Sequence, residues 1–198
     1  ESWPNMAPFP LGIMALAGVT GGGAAYELLE SVTLSSPASS VTFSGLDIYS
    51  DYKSLQIRMV TRFDTQGFAY EYMNFNADEG ANYTSHRLNA GNGSVSSGSY
   101  VNEDYIRIAE TERLSDSTAG AFATSIIDIY DFASTTKTTT ARSLFGRIGA
   151  TNTASNRVGI NSGLWNNTAA VTSISFALPT VGYVNYVAGS RFSLIGVR

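Results

Sequence analysis

The stretch SLQIRMVTRF alternates. Leu55, Ile57 and Met59 fall on one side of an extended chain, and Gln56, Arg58 and Arg62 fall on the other. A period of two marks a strand with one buried face, because successive side chains point to opposite sides of a pleated backbone. The pattern recurs. SVTFSG carries Val41 and Phe43 in alternate positions, and FAYEYMNF sets Phe68, Tyr70 and Tyr72 against Ala69, Glu71, Met73 and Phe75. YIRIAE places Ile106 and Ile108 opposite Arg107, and VTSISFAL places Ile174, Phe176 and Leu178 opposite Ser173 and Ser175. RFSLIGVR reads as a further strand. FATSIIDIYDF is more evenly apolar and reads as a strand lying between two layers. AAYELLES has helix formers, but the β-branched VTL that follows favours a strand there. Turn formers punctuate these runs at Ser35–Pro37, Asn89–Gly93, Ser96–Ser99, Asp116–Gly120 and Asn161–Gly163. Many short strands with such punctuation predict an all-β fold, an antiparallel β-sandwich of jelly-roll-like form, over residues 26–198.

Residues 1–25 have a different character. From Met6 to Ala25 there is no charged residue, and Phe9, Leu11, Ile13, Met14, Leu16 and Val19 alternate with Pro, Gly and Ala. A membrane-spanning helix needs about 20 apolar residues. Here the strongly apolar part runs only from Leu11 to Val19, between Pro8 and Pro10 on one side and Gly21, Gly22 and Gly23 on the other. Prolines and glycines both disfavour a helix. The segment reads as an extended assembly arm without a membrane span, its contact residues being Met6, Phe9, Leu11, Ile13, Met14, Leu16 and Val19. Burying each large side chain is worth about 1.5–3 kcal/mol. Ordering the backbone costs about 1–2 kcal/mol per residue, so the arm gains only where it meets a packed site.

Composition narrows the function. Charged residues are 14% of the 198, against about 25% in a typical soluble domain. Surface of this kind points to burial against copies of the same chain or against other proteins. A net charge of −4 with no basic run argues against nucleic acid as a partner. The chain has no cysteine, which removes disulfides, thiol catalysis and thiolate metal sites.

Candidate chemistry is sparse. His86 is the single histidine, and no Ser sits in a G-x-S-x-G elbow, so a Ser–His–Asp triad has little to build on. In NFNADEGANY, Asn74, Asn76 and Asp78 have calcium-loop spacing, but the match fails at Glu79 and Ser85, where Gly and Glu are needed. The stretch reads as a polar turn whose Asx side chains bond backbone. The pairs Asp128 with Asp131 and Glu103 with Asp104 carry no geometry of a glycosidase acid pair, and Asp128 reads as a buried, hydrogen-bonded carboxylate. No catalytic residue, metal ligand or cofactor site is predicted. Trp165, in SGLWNNTAA, is the candidate aromatic platform for a glycan; the competing reading places it in the core or an interface.

Several phrases together, YELLESVTL, SVTFSGL, YKSLQIRMV, NFNADEGANY, ASTTKTTTARSLFG, SGLWNNTAAVTSISF and FSLIGVR, resemble a loosely defined family of small virion proteins of tailed bacteriophages, many from aquatic hosts. The resemblance runs in order from Tyr26 to Arg198. It implies a non-enzymatic structural protein on the outer surface of the head or tail, present in many copies. Its expected partners are copies of itself, as a trimer, and other virion proteins such as the major capsid protein. A capsid decoration or cement protein is the first expectation. A tail-fibre or receptor-binding protein that contacts a host-surface glycan is the alternative.

Overall fold

The computed structural model describes residues 24–64, 70–91, 93–110, 112–113, 120–148, 156–177 and 184–198. In chain order the strands are β1 (Tyr26–Thr33), β2 (Ser40–Ser44), β3 (Ser54–Phe63), β4 (Tyr70–Phe75), β5 (Tyr83–Gly91), β6 (Ser94–Glu103) and β7 (Ile106–Glu110). They continue with β8 (Glu112–Arg113), β9 (Ala123–Tyr130), β10 (Thr139–Arg147), β11 (Arg157–Trp165), β12 (Ser173–Ala177) and β13 (Arg191–Val197). One 3₁₀ turn, Leu46–Tyr49, follows β2. No helix among the described residues is long and apolar enough to cross a membrane.

The strands form the expected antiparallel sandwich, with unequal sheets. The large sheet runs β1-β13-β3-β9-β10-β11-β5-β6, with β8 beside β3, and the small sheet runs β2-β12-β4-β7. The chain passes from one sheet to the other repeatedly. The alternation seen in the sequence is the reason the sheets pack: Leu55, Ile57 and Met59 of β3 and Ile127 and Ile129 of β9 point inward from the large sheet. Phe43, Met73, Phe75, Ile174 and Phe176 meet them from the small sheet. Phe176 and Phe192 pack at 5.8 Å, and Tyr186 meets Phe192 edge-on at 5.0 Å, geometries that aromatic rings favour.

Three local readings change. Ser96–Ser99 and Asn161–Gly163 are strand interior and not turns. Small residues stand in β11 because β7 lies directly across it. A Cβ on Gly163 would strike Ile106 Cγ2, and Asn161 Nδ2 donates to the Ile108 carbonyl at 2.8 Å. The third change concerns FATSIIDIYDF. Within β9 only alternate residues are buried, and Ile126 and Tyr130 face outward. The side of β9 that its apolar character leads one to expect covered is open.

Candidate functional site

The strand registers place one residue from each of eight strands of the large sheet, β8 aside, in a single transverse row on its outer face. Reading from β1 to β6, the row is Ser31, Ser193, Arg58, Ile126, Leu144, Ile160, Leu88 and Ser97. Its middle is apolar. Ile126, Leu144, Ile160 and Leu88 are direct cross-strand neighbours on β9, β10, β11 and β5, and each is 42–52% exposed. Val158 and Val95, in the adjacent row, are exposed as well. Isolated exposed apolar residues mean little, but a contiguous patch with a polar rim marks an interaction surface. The rim is present. Asp128 accepts from Gln56 Nε2 at 2.8 Å and lies 3.5 Å from Arg142, whose Nη2 donates to the Tyr130 hydroxyl at 2.9 Å. Two grooves indent this face. One, of about 330 Å³, is lined by Ile126, Asp128, Arg142, Leu144 and Ile160. The other, of about 540 Å³, lies over β1, β13 and β3.

A second feature is a polar seam inside the sandwich, where β7 crosses the large sheet. Glu110 is its centre. Its Oε1 accepts from Asn89 Nδ2 at 3.0 Å and lies 3.7 Å from Arg87 Nη1. Its Oε2 lies 3.5 Å from both Arg147 Nη2 and Arg157 Nε. Arg147 and Glu110 are both buried. Beside them Ser143 Oγ donates to the Ile108 carbonyl. Arg147 and Arg157 also line a cleft of about 770 Å³ whose other walls include Ala90, Phe122, Ile148 and Val158.

The seam continues to the surface. Arg87 Nη1 donates to the Tyr70 hydroxyl at 2.8 Å. Arg107 then stands among four tyrosines, 4.2 Å from the centre of Tyr100 and 5.3 Å from those of Tyr70, Tyr72 and Tyr105. It donates to the hydroxyls of Tyr72 and Tyr105 and to Glu103. Tyr72 and Tyr105 stack with centroids 3.7 Å apart. These half-buried tyrosines form one aromatic cluster at the surface. Guanidinium groups keep their charge at any physiological pH and neither take up nor release protons there. The seam therefore ties β7 to β5, β10 and β11 by charge.

The residues singled out in the sequence are distributed as follows. Met6, Phe9, Leu11, Ile13, Met14, Leu16 and Val19 lie outside the described residues. Trp165 is corrected: it is 1% exposed, packed against Phe75 and Tyr83, and has no face to offer a sugar. Its register opposite Thr139 and Tyr83 turns it inward. The indole N–H donates to Asp78 Oδ2 at 2.7 Å, which holds the Asp78 carboxyl below the usual carboxylate range against the opposing effect of its partial burial. Asp78 also accepts from the Gly80 N–H and from Asn82. Asn76 Oδ1 accepts from the backbone N–H groups of Thr172 and Ser173, so Asn76 and Asp78 bond as turn residues and point at different partners. His86 is exposed on β5, opposite Ser162 and Ser99. Asp128 is three strands away in the same row, about 14 Å. Asp128 is hydrogen-bonded as expected but sits on the open face, half-buried.

Sequence reading missed both the apolar row and the seam. The row needs four registers to be known together. The seam draws Arg87, Asn89, Glu110, Arg147 and Arg157 from four strands. No protein-family model, curated protein or solved structure matches the chain.

Proposed function

We propose that this chain is a non-enzymatic structural protein of a bacteriophage virion, an outer protein of the capsid decoration or cement type that docks through its N-terminal arm. The supporting observation is the apolar row of Ile126, Leu144, Ile160 and Leu88 on the open face of the large sheet. A surface of that kind belongs in a contact, and the low charge of the whole chain agrees with a protein that works packed among others. The resemblance of its phrases to small virion proteins supplies the setting. Its partners are copies of itself and the major capsid protein. The test is gold labelling of intact virions with antibodies against the full chain. Label spread over heads is expected. Virions that carry no label overturn the reading.

A second reading has its own observation. Tyr70, Tyr72, Tyr100 and Tyr105 around Arg107 are half-buried, with aromatic faces and phenol groups at one surface. That chemistry suits sugar rings, which have an apolar face and a polar rim. It supports a tail-fibre or receptor-binding protein that contacts a host-surface glycan. Label clustered at tails, with binding on a glycan array lost in Tyr100→Ala, would establish this reading over the first.

A further inference from the structure

We infer that the row formed by Ile126, Leu144, Ile160 and Leu88 is the seat for the Phe9–Val19 segment of a neighbouring copy of this chain. The inference rests on the assembly reading above and names the partner of that face.

Four observations carry it. The first is the character of β9. Its outward side carries Ile126 and Tyr130 beside Thr124 and Asp128, and both of these large hydrophobic residues are open. The second is chemical match. Met6 to Ala25 holds no charge, and the middle of the row holds none either. The third is dimension. From Ile126 to Leu88 is three strand spacings, about 14 Å. Phe9, Leu11 and Ile13 fall on one side of an extended chain and span about 13 Å. Pro8, which precedes Phe9, and Pro10, which intervenes, lack N–H groups. The segment is thereby poor at pairing with an open strand edge and suited to side-chain contact on a sheet face. The fourth observation is direction, and it selects a neighbour over the same copy. Tyr26 and Leu28 precede Ser31 on β1, and Ser31 is the β1 member of the row. Arg198 N–H donates to the Ala25 carbonyl at 3.1 Å, so the ladder continues before Tyr26. Traced back towards residue 23, the chain is heading away from its own row. Seating in its own copy needs a full reversal and a crossing of β13 and β3 to reach β9.

Because the chain has no cysteine, single cysteines report the contact cleanly. Full-length Leu11→Cys is mixed with full-length Leu144→Cys under mild oxidation. A disulfide-linked pair of unlike chains is expected, at least about tenfold more than when Leu144→Cys is replaced by Lys137→Cys, because docking raises the local concentration of the two thiols. No excess over that control overturns the inference. So does a Leu11→Cys/Leu144→Cys double variant that closes its bond within one chain. In parallel, Leu144→Glu with Ile160→Glu in the full chain should abolish oligomers in sedimentation while keeping the strand spectrum and melting point. If that folded variant still forms oligomers, the seat is elsewhere. Virion labelling is scored separately, so the seat can fail while the assembly reading stands.

Discussion

At the scale of single residues, Asp78 shows how a polar turn serves the core. Its carboxylate is the acceptor for the buried indole N–H of Trp165. Asp78→Ala leaves that donor without its acceptor and is expected to cost about 1–3 kcal/mol. Asp78→Asn keeps an acceptor oxygen and should recover most of the loss. The pH dependence has a definite sign. The folded-state pKa of Asp78 is depressed, chiefly by the Trp165 hydrogen bond. Its contribution is therefore whole above the ordinary Asp value of about 3.9 and shrinks as pH falls through the lower folded value. Urea melts should show a constant gap between the protein and Asp78→Ala from pH 5 to 7 and a narrowing gap below about pH 4. An unchanged gap in acid would show that the carboxylate charge is not what holds Trp165. The sequence displayed this turn, through Asn76 and Asp78. It did not display which way Trp165 faces, because an aromatic residue suits either side of a strand and only the register of β11 decides.

At the scale of elements, β4 and β12 were legible because each has one buried face and one half-exposed face, and alternation records that directly; β3 was legible from Leu55, Ile57 and Met59, although Gln56 and Arg62 on its other side are buried too. β9 misled because Ile126 and Tyr130 make its outward face partly apolar although Asp128 shares it, and only the inward face is covered within the chain. Strand β7 holds the least legible device, the Glu110 seam, whose parts are separated by tens of residues. Three guanidinium groups face one buried carboxylate there. Removing one member of a buried charge cluster leaves the others desolvated without compensation. Glu110→Gln is accordingly expected to lose about 3–5 kcal/mol, read as a lower urea midpoint with an unchanged slope. A loss below about 1 kcal/mol, the scale of an exposed ion pair, would mean that water reaches the seam.

At the scale of the whole molecule, the division between arm and sandwich makes a further expectation. The sheets close from Tyr26 onward, with β1 paired along β13. Deleting residues 1–23 should leave the melting point of the dilute monomer within about 2 °C, which is under about 1 kcal/mol for a domain of this size. The same deletion should remove oligomers from sedimentation profiles. A truncated chain that unfolds would place the arm in the core of its own sandwich. The position of β13 has one more consequence. This strand follows all the others in the chain yet sits between β1 and β3, so it joins one edge of the large sheet to the rest. During synthesis, β1 waits for its partner until Arg191–Val197 has left the ribosome tunnel. Until then the inner residues of β3 lack the cover of Phe192 and Leu194. In a nascent chain residues 1–25 thus precede the sandwich, and the large sheet is completed only when β13 arrives. The order of translation keeps the molecule from completing its own fold, and with it a rigid face for others, before nearly all of the sandwich exists.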